Sequence, residues 1–361
     1  MPQSSSKISP WQMYALLILA RIMHTMIYYS GRPGTEMLLT VLLTTAIEIP
    51  ASIPLVCYIS DGGADTSADI AAEIGGKKGA GAIRLLYAVY FLYISSGTVN
   101  NFSKFMSVEF PQIAVVPVII AVLAISAGYC AWLGIEALAR AAGVVFASII
   151  ALVVLMSAVS EGRLDTLNLL PVTASDIPNM LEYAVRDLSS SWWLPMLASL
   201  APYLRGGVKK TVAAYLISKL VILEFLLLML ILMLRDFVVF IGYPMLALGA
   251  YAKTDFIQHF DAINMLVWTF NCVTVNGAYL FIISKTAGRE RKLFPLAVSV
   301  LAVICGALFS YYNKVDYNNE TAFVIKSLGI VVLGIILPLA ALLIRRFRRY
   351  RLKCCENSPC F

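Results

Sequence analysis

Two polar clusters interrupt otherwise apolar sequence, and both carry side chains suited to holding a small polar molecule. The first is Arg21, His24, Thr25 and Met26, inside ILARIMHTMIYYSGRPG at residues 18–34. The second is Ser189-Ser190-Ser191-Trp192-Trp193-Leu194-Pro195. A helix broken at such a place exposes unpaired amides and carbonyls, which take up the charged ends of a zwitterion. His24 would add a donor that also responds to protonation, or else simply donate to a carbonyl of a neighbouring helix. In the second cluster Pro195 removes a backbone donor, the serines can re-satisfy the freed groups, and one tryptophan can face a cavity as wall or gate. Tyr93 and Ser96, followed by Asn100, lie at helical spacing, as do Asn271 and Thr274. Their ordinary use is interhelical hydrogen bonding, about 0.6 kcal/mol each, and their further use is to line a site.

Ionisable groups within apolar runs need partners. Glu48 sits in TTAIEIPASIP, where Pro50 and Pro54 loosen the helix, and Lys219 and Glu224 share a later run. A buried charge is tolerated only when compensated. Arg21 or Lys219 is therefore expected to neutralise Glu48 or Glu224, with Lys219–Glu224 as a structural pair. Glu136 and Arg140 are four apart in the orientation that favours pairing, which suits a structural or gate role. Metal and catalytic chemistry find no support. The chain has two histidines, His24 and His259, in no metal-ligand spacing, and no nucleophile–base pair is apparent. No cofactor is expected. Cys57, Cys130, Cys272 and Cys305 fall in apolar runs as small hydrophobes. Cys354, Cys355 and Cys360 follow a basic run, where acylation is an option and plain reduced thiols are the expectation.

The elements that position these residues follow from composition. The 361 residues are 60% hydrophobic and 14% charged, against roughly a quarter charged in soluble domains. This is an all-α polytopic membrane protein, so its net charge of +7 reports topology rather than nucleic-acid affinity. The first apolar run lacks a small-residue cleavage site and is read as a span, not a signal peptide. A ruler of about 20 residues per crossing gives ten spans, near 10–30, 35–59, 83–107, 112–133, 135–159, 185–204, 209–234, 262–284, 294–312 and 322–344. With the amino terminus inside, 18 of 28 Lys and Arg lie on the cytoplasmic side, eight opposite (Lys326 among them), and Arg21 and Lys219 within spans. That bias predicts both termini to be cytoplasmic.

The connections 160–184 and 235–261 read as helices at the membrane interface or, the favoured reading, as surface helices that cap the bundle, and 61–82 as a cytoplasmic loop with a short helix around residues 70–74. The spans divide into 10–159 and 185–344, followed by a basic tail, 345–361. Each set opens with its most irregular member, the pointer to an inverted-repeat transporter architecture whose site lies at two interrupted helices.

Several short motifs resemble the B subunit of the Ger-type spore germinant receptors, in the amino acid–polyamine–organocation transporter superfamily. They are Lys7-Ile8-Ser9-Pro10-x-Gln12, Gly134-x-Glu136-x-x-x-Arg140, Asn168-Leu-Leu-Pro171, Pro202-Tyr203, Tyr243-Pro244, and Phe256 with Asp261 and Trp268. The resemblance implies a LeuT-like 5+5 fold with discontinuous helices 1 and 6 and a ligand between spans one, three, six and eight. It also implies sensing of a small nutrient germinant, typically an amino acid, beside an A-type membrane subunit and a C-type lipoprotein in the spore inner membrane. Two departures fall on the implied pocket. Ile22-Met23-His24-Thr25-Met26 replaces the small residue or Gly usual at the first break, and Trp192-Trp193 replaces a Gly-Glu-like pair. The competing reading is an ion- or proton-coupled amino acid transporter of the same fold.

Overall fold

The computed structural model describes residues 7–27, 36–62, 66–109, 115–160, 162, 164–169, 177–234, 243, 247–249, 260–287, 294–313 and 320–356. The first helix, α1, spans Pro10–Ile27. Its start shows why the opening motif has its residues. The Ser9 amide donates to Gln12 Oε1 (2.9 Å) and the Gln12 amide to Ser9 Oγ (3.3 Å), a reciprocal capping box, with Pro10 at the first helical position. Just before the cap, Ile8 is fully buried and bridges the 203–205 segment. Its amide donates to the Tyr203 carbonyl (2.7 Å), and its carbonyl accepts from the Arg205 amide (2.9 Å). Gly207 completes the joint. It has φ +73°, and a Cβ there would stand 3.2 Å from Pro10 Cγ.

The helices α2 (Glu36–Ser60), α3 (Thr66–Glu109), α4 (Val115–Leu133) and α5 (Ile135–Ser160) follow. In α3 the backbone leaves helical geometry at Gly76 (φ 55°, ψ −160°). The residues before this kink form the short helix expected in the 61–82 loop. Ile70 packs with Tyr58, Ala341 and Leu342, and Glu73 accepts from Arg345 (2.7 Å). Next come α6 (Ile177–Leu188), α7 (Trp193–Leu200) and α8 (Val208–Leu234). After them lie α9 (Phe260–Thr286), α10 (Phe294–Asn313) and α11 (Glu320–Gly329). A π-helical stretch, Ile330–Ile336, then leads into α12 (Leu337–Glu356).

Among the described residues, seven helical stretches are long and apolar enough to cross a membrane. Of the ten expected spans the other three are shorter or broken: α1, the α6–α7 pair, and the apolar stretch Phe294–Leu308. Two expectations change. The first span is not interrupted at residues 21–26, because α1 runs unbroken to Ile27. No Gly or Pro follows Pro10 within it, residues 13–23 are all buried, and Arg21 is held by a carboxylate rather than by freed carbonyls. The helix expected over 177–184 continues to Leu188, into the residues assigned to the sixth expected span. The basic tail also continues its span, as the helix extends to Glu356.

Packing sorts the helices into two groups. One comprises α1, α2, α6 and α8; the other comprises α3, α4, α9 and α10; α5 touches both, through α1 and α9. Within the second group backbones approach closely at small residues, as membrane helices require without a hydrophobic driving force between them. A Cβ on Gly277 of α9 would lie 2.8 Å from Leu138 Cδ2, 3.3 Å from the Ala127 carbonyl and 3.3 Å from Cys130 Cβ. Gly277→Val is expected to lower stability by about 1–3 kcal/mol through overpacking. Gly143→Val, where a new Cβ meets nothing within 4 Å, is expected to melt with the parent protein in the same detergent.

Candidate functional site

The chain breaks between α6 and α7, where its serines lie. After α6 the amides of Ser189, Ser190 and Ser191 bond to the carbonyls of Arg186, Asp187 and Leu188, at 3.1, 2.9 and 3.0 Å. The Ser189 hydroxyl adds a bond to the Arg186 carbonyl (2.6 Å). These three-residue turns end α6, and α7 begins at Trp193. Pro195 therefore sits in the first turn of a new helix, where its missing amide costs nothing. The serines, not the proline, carry the break.

A four-charge network lies behind this break. Arg21, 3% exposed, pairs with Asp187. Lys219 Nζ is 2.8 Å from Glu48 Oε2, with both side chains fully buried, and 4.0 Å from Asp187 Oδ2. The Ser191 hydroxyl donates to Glu48 Oε1. Two cations and two anions from α1, α2, α6 and α8 thus sum to zero, the condition for holding charges out of water. Lys219 does not pair with Glu224. Five residues of helix turn the side chain by about 140°, so the two point apart, and Lys219 faces Glu48 across the interface with α2.

On the other side of the break is a small cavity of about 30 Å³. Its wall takes Ala20 and Met23 from α1, Tyr93, Gly97, Thr98 and Asn101 from α3, Trp192 from the break, Tyr279 from α9 and Lys326 from α11. Trp192 Nε1 donates to the Tyr279 hydroxyl (2.8 Å), joining the break to α9. Away from this cavity, α7 has all eight residues buried. Beyond its far end open two larger cavities. One, of about 590 Å³, is edged by Lys7, Lys209 and Lys210; the other, of about 250 Å³, by Arg84 and Lys285.

Of the residues singled out in the sequence, Tyr93 and Trp192 line the cavity. The others have different surroundings. Ser96 bonds the Leu92 carbonyl of its own helix (2.7 Å). Ser191 belongs to the charge network. Trp193 stacks on Tyr215, ring centroids 4.4 Å apart. Asn271 reaches the Leu19 carbonyl (3.5 Å) and Thr274 bonds the Phe270 carbonyl (2.8 Å), so both belong to helix packing. Glu136 and Arg140 pair at 3.0 Å on the surface, 53% and 68% exposed, where such a bond stabilises little. His24, Thr25 and Met26 are in α1, but their side chains lie outside the described residues.

Sequence reasoning missed Asp187, Thr98, Asn101, Tyr279 and Lys326. Asp187 could have been found by charge balance, since two cations within spans call for two acids and Glu224 is on the wrong face. Lys326, counted among the charges outside the membrane, lies in the last turn of α11 and is 7% exposed.

A family model described as "Spore germination protein" matches residues 7–320. The chain belongs to this spore germination protein family. No curated protein matches it significantly. In this spore germination protein the match begins at Lys7, where the chain enters the Ile8 bridge and the Ser9–Gln12 capping box, and it takes in the network and all of the cavity wall except Lys326.

The charge network makes a specific expectation for stability. Lys219→Met leaves Glu48 buried without its cation, a loss of about 3–5 kcal/mol. Lys219→Met with Glu48→Gln removes both charges and is expected to recover much of that loss. Thermal melting of the purified variants in one detergent checks the order, and equal melting of the single and double variants would contradict the pairing.

Proposed function

We propose that this spore germination protein is the nutrient-sensing subunit of a germinant receptor. In this reading it binds a small molecule, an amino acid or a similar compound, between α1, α3, the break and α9, and signals by conformational change. The observation that carries the reading is the position of the cavity at the seam of the two helix groups. Ala20, Met23 and Trp192 come from one side, and Tyr93, Thr98 and Tyr279 from the other. A ligand in that seam contacts both groups at once, so its binding energy can favour one relative arrangement over another, the requirement for any ligand-driven change. The seam offers about 30 Å³, so holding an amino acid between the groups would require them to part.

The same reading takes the chain as ten spans in a LeuT-like pair of five-helix repeats, the α6–α7 break being its discontinuous sixth helix. It places both termini in the cytoplasm, the chain in the spore inner membrane, and an A-type membrane subunit and a C-type lipoprotein as its partners. Transport by the same fold is the competing reading. It would require a route past α7, whose eight buried residues separate the seam from the basic cavities.

A thermal-shift screen of the purified chain against amino acids, sugars and nucleosides tests the site. A ligand present at a hundred times its Kd stabilises the native state by about 2.7 kcal/mol. Tyr93→Ala and Trp192→Phe are each expected to reduce that shift at fixed ligand concentration. A shift untouched by both would place binding elsewhere, and accumulation of labelled ligand by vesicles holding the chain alone would favour transport.

A further inference from the structure

Glu224 has no part in the network or the cavity. It lies three residues past the midpoint of α8, about 4.5 Å along the helix axis. Its face carries Ile217, Val221 and Phe225, which are 64%, 60% and 38% exposed, with the partly buried Leu220 and Leu228 beside them. Residues three and four apart share a helix face, so these side chains form one stripe through Glu224. Because α8 is among the helices able to cross a membrane, that stripe meets hydrocarbon. Glu224 Oε1 is occluded from solvent by the chain, yet has no hydrogen-bond partner among the described residues. The cation nearest in sequence, Lys219, is spent on Glu48.

Ionisable groups in spans almost always face the protein interior or a partner group. A carboxyl on a lipid-facing stripe near mid-depth departs from that rule unless another chain covers it. We propose that the 217–228 face of α8 docks a membrane-spanning helix of another chain, and that this helix presents a basic side chain to Glu224. Charge selects that occupant. Lipid tails offer no donor, and a second copy docked on the same face about a two-fold axis brings Glu224 against Glu224. The stripe is apolar on both sides of the carboxyl, which suits a helix with a single polar position rather than a polar loop.

The test uses the full-length chain in phosphatidylcholine vesicles, labelled at its amino terminus with an energy-transfer acceptor. Donor-labelled leucine-rich spanning peptides carry either Lys or Leu at the central position. The central-Lys peptide is expected to associate about tenfold more strongly. Glu224→Asp should keep most of the preference, and Glu224→Gln and Glu224→Leu should remove it. Val221→Trp, which crowds the face and leaves the carboxyl in place, should weaken association of the central-Lys peptide and decides the matter if the Glu224 variants fold poorly. Equal binding of the two peptides, a preference that survives Glu224→Leu, or one indifferent to Val221→Trp would overturn the proposal. So would Glu224-dependent self-association of the labelled chain without any peptide preference. None of these readouts involves the ligand seam.

Discussion

Asp187 sits between two cations that cannot be left alone in the membrane. Arg21 reaches it from α1, and Lys219 approaches it from α8 while holding Glu48 on α2. Because the low-dielectric interior strengthens both attraction and the penalty for an unpaired charge, these four groups fix the relative depth and rotation of four helices. Ser191 ties the break between α6 and α7 to the same assembly through Glu48. Trp192 and α7, next along the chain, take their positions from that anchor. The seam with α3 and α9 then forms where the anchored group meets the second one.

This arrangement separates two tasks within a few residues of chain. Ser191 faces the charges and Trp192 faces the seam. Trp193 turns to the opposite side, onto Tyr215 of α8. Consecutive residues in a tight turn point in different directions, which a continuous helix would space more evenly. The break therefore lets one short segment join the electrostatic core of one helix group to an aromatic contact on the other.

Much of the fold is legible in the sequence because apolar length is a direct physical signal. The long apolar helices, the short helix within 61–82 and the break at the serines all follow from hydropathy and polar spacing. The site is less legible. Tyr93 and Trp192 could be found because they stand beside breakers or on a polar face, whereas Tyr279 and Lys326 come from runs with no such mark. The expected interruption of α1 failed for a specific reason. Arg21 looked like the sign of an opened backbone, but its partner is Asp187, just inside the sixth expected span. Hydropathy reports the depth of a segment, while pairing across helices depends on rotation, and one-dimensional periodicity resolves rotation poorly where every face is apolar.

The bridge at Ile8 has a consequence for how the chain is made. Ile8 pairs with the 203–205 segment, roughly 200 residues later in synthesis, and the carboxylate that holds Arg21 also arrives late, 166 residues on. At about 5–20 residues per second, translation takes about 10–40 s to cover that interval. Throughout it the first helix emerges from the ribosome with a bare guanidinium and an unattached end. The α1 segment is thus made well before the residues that complete its contacts, and biogenesis must shelter it until they arrive.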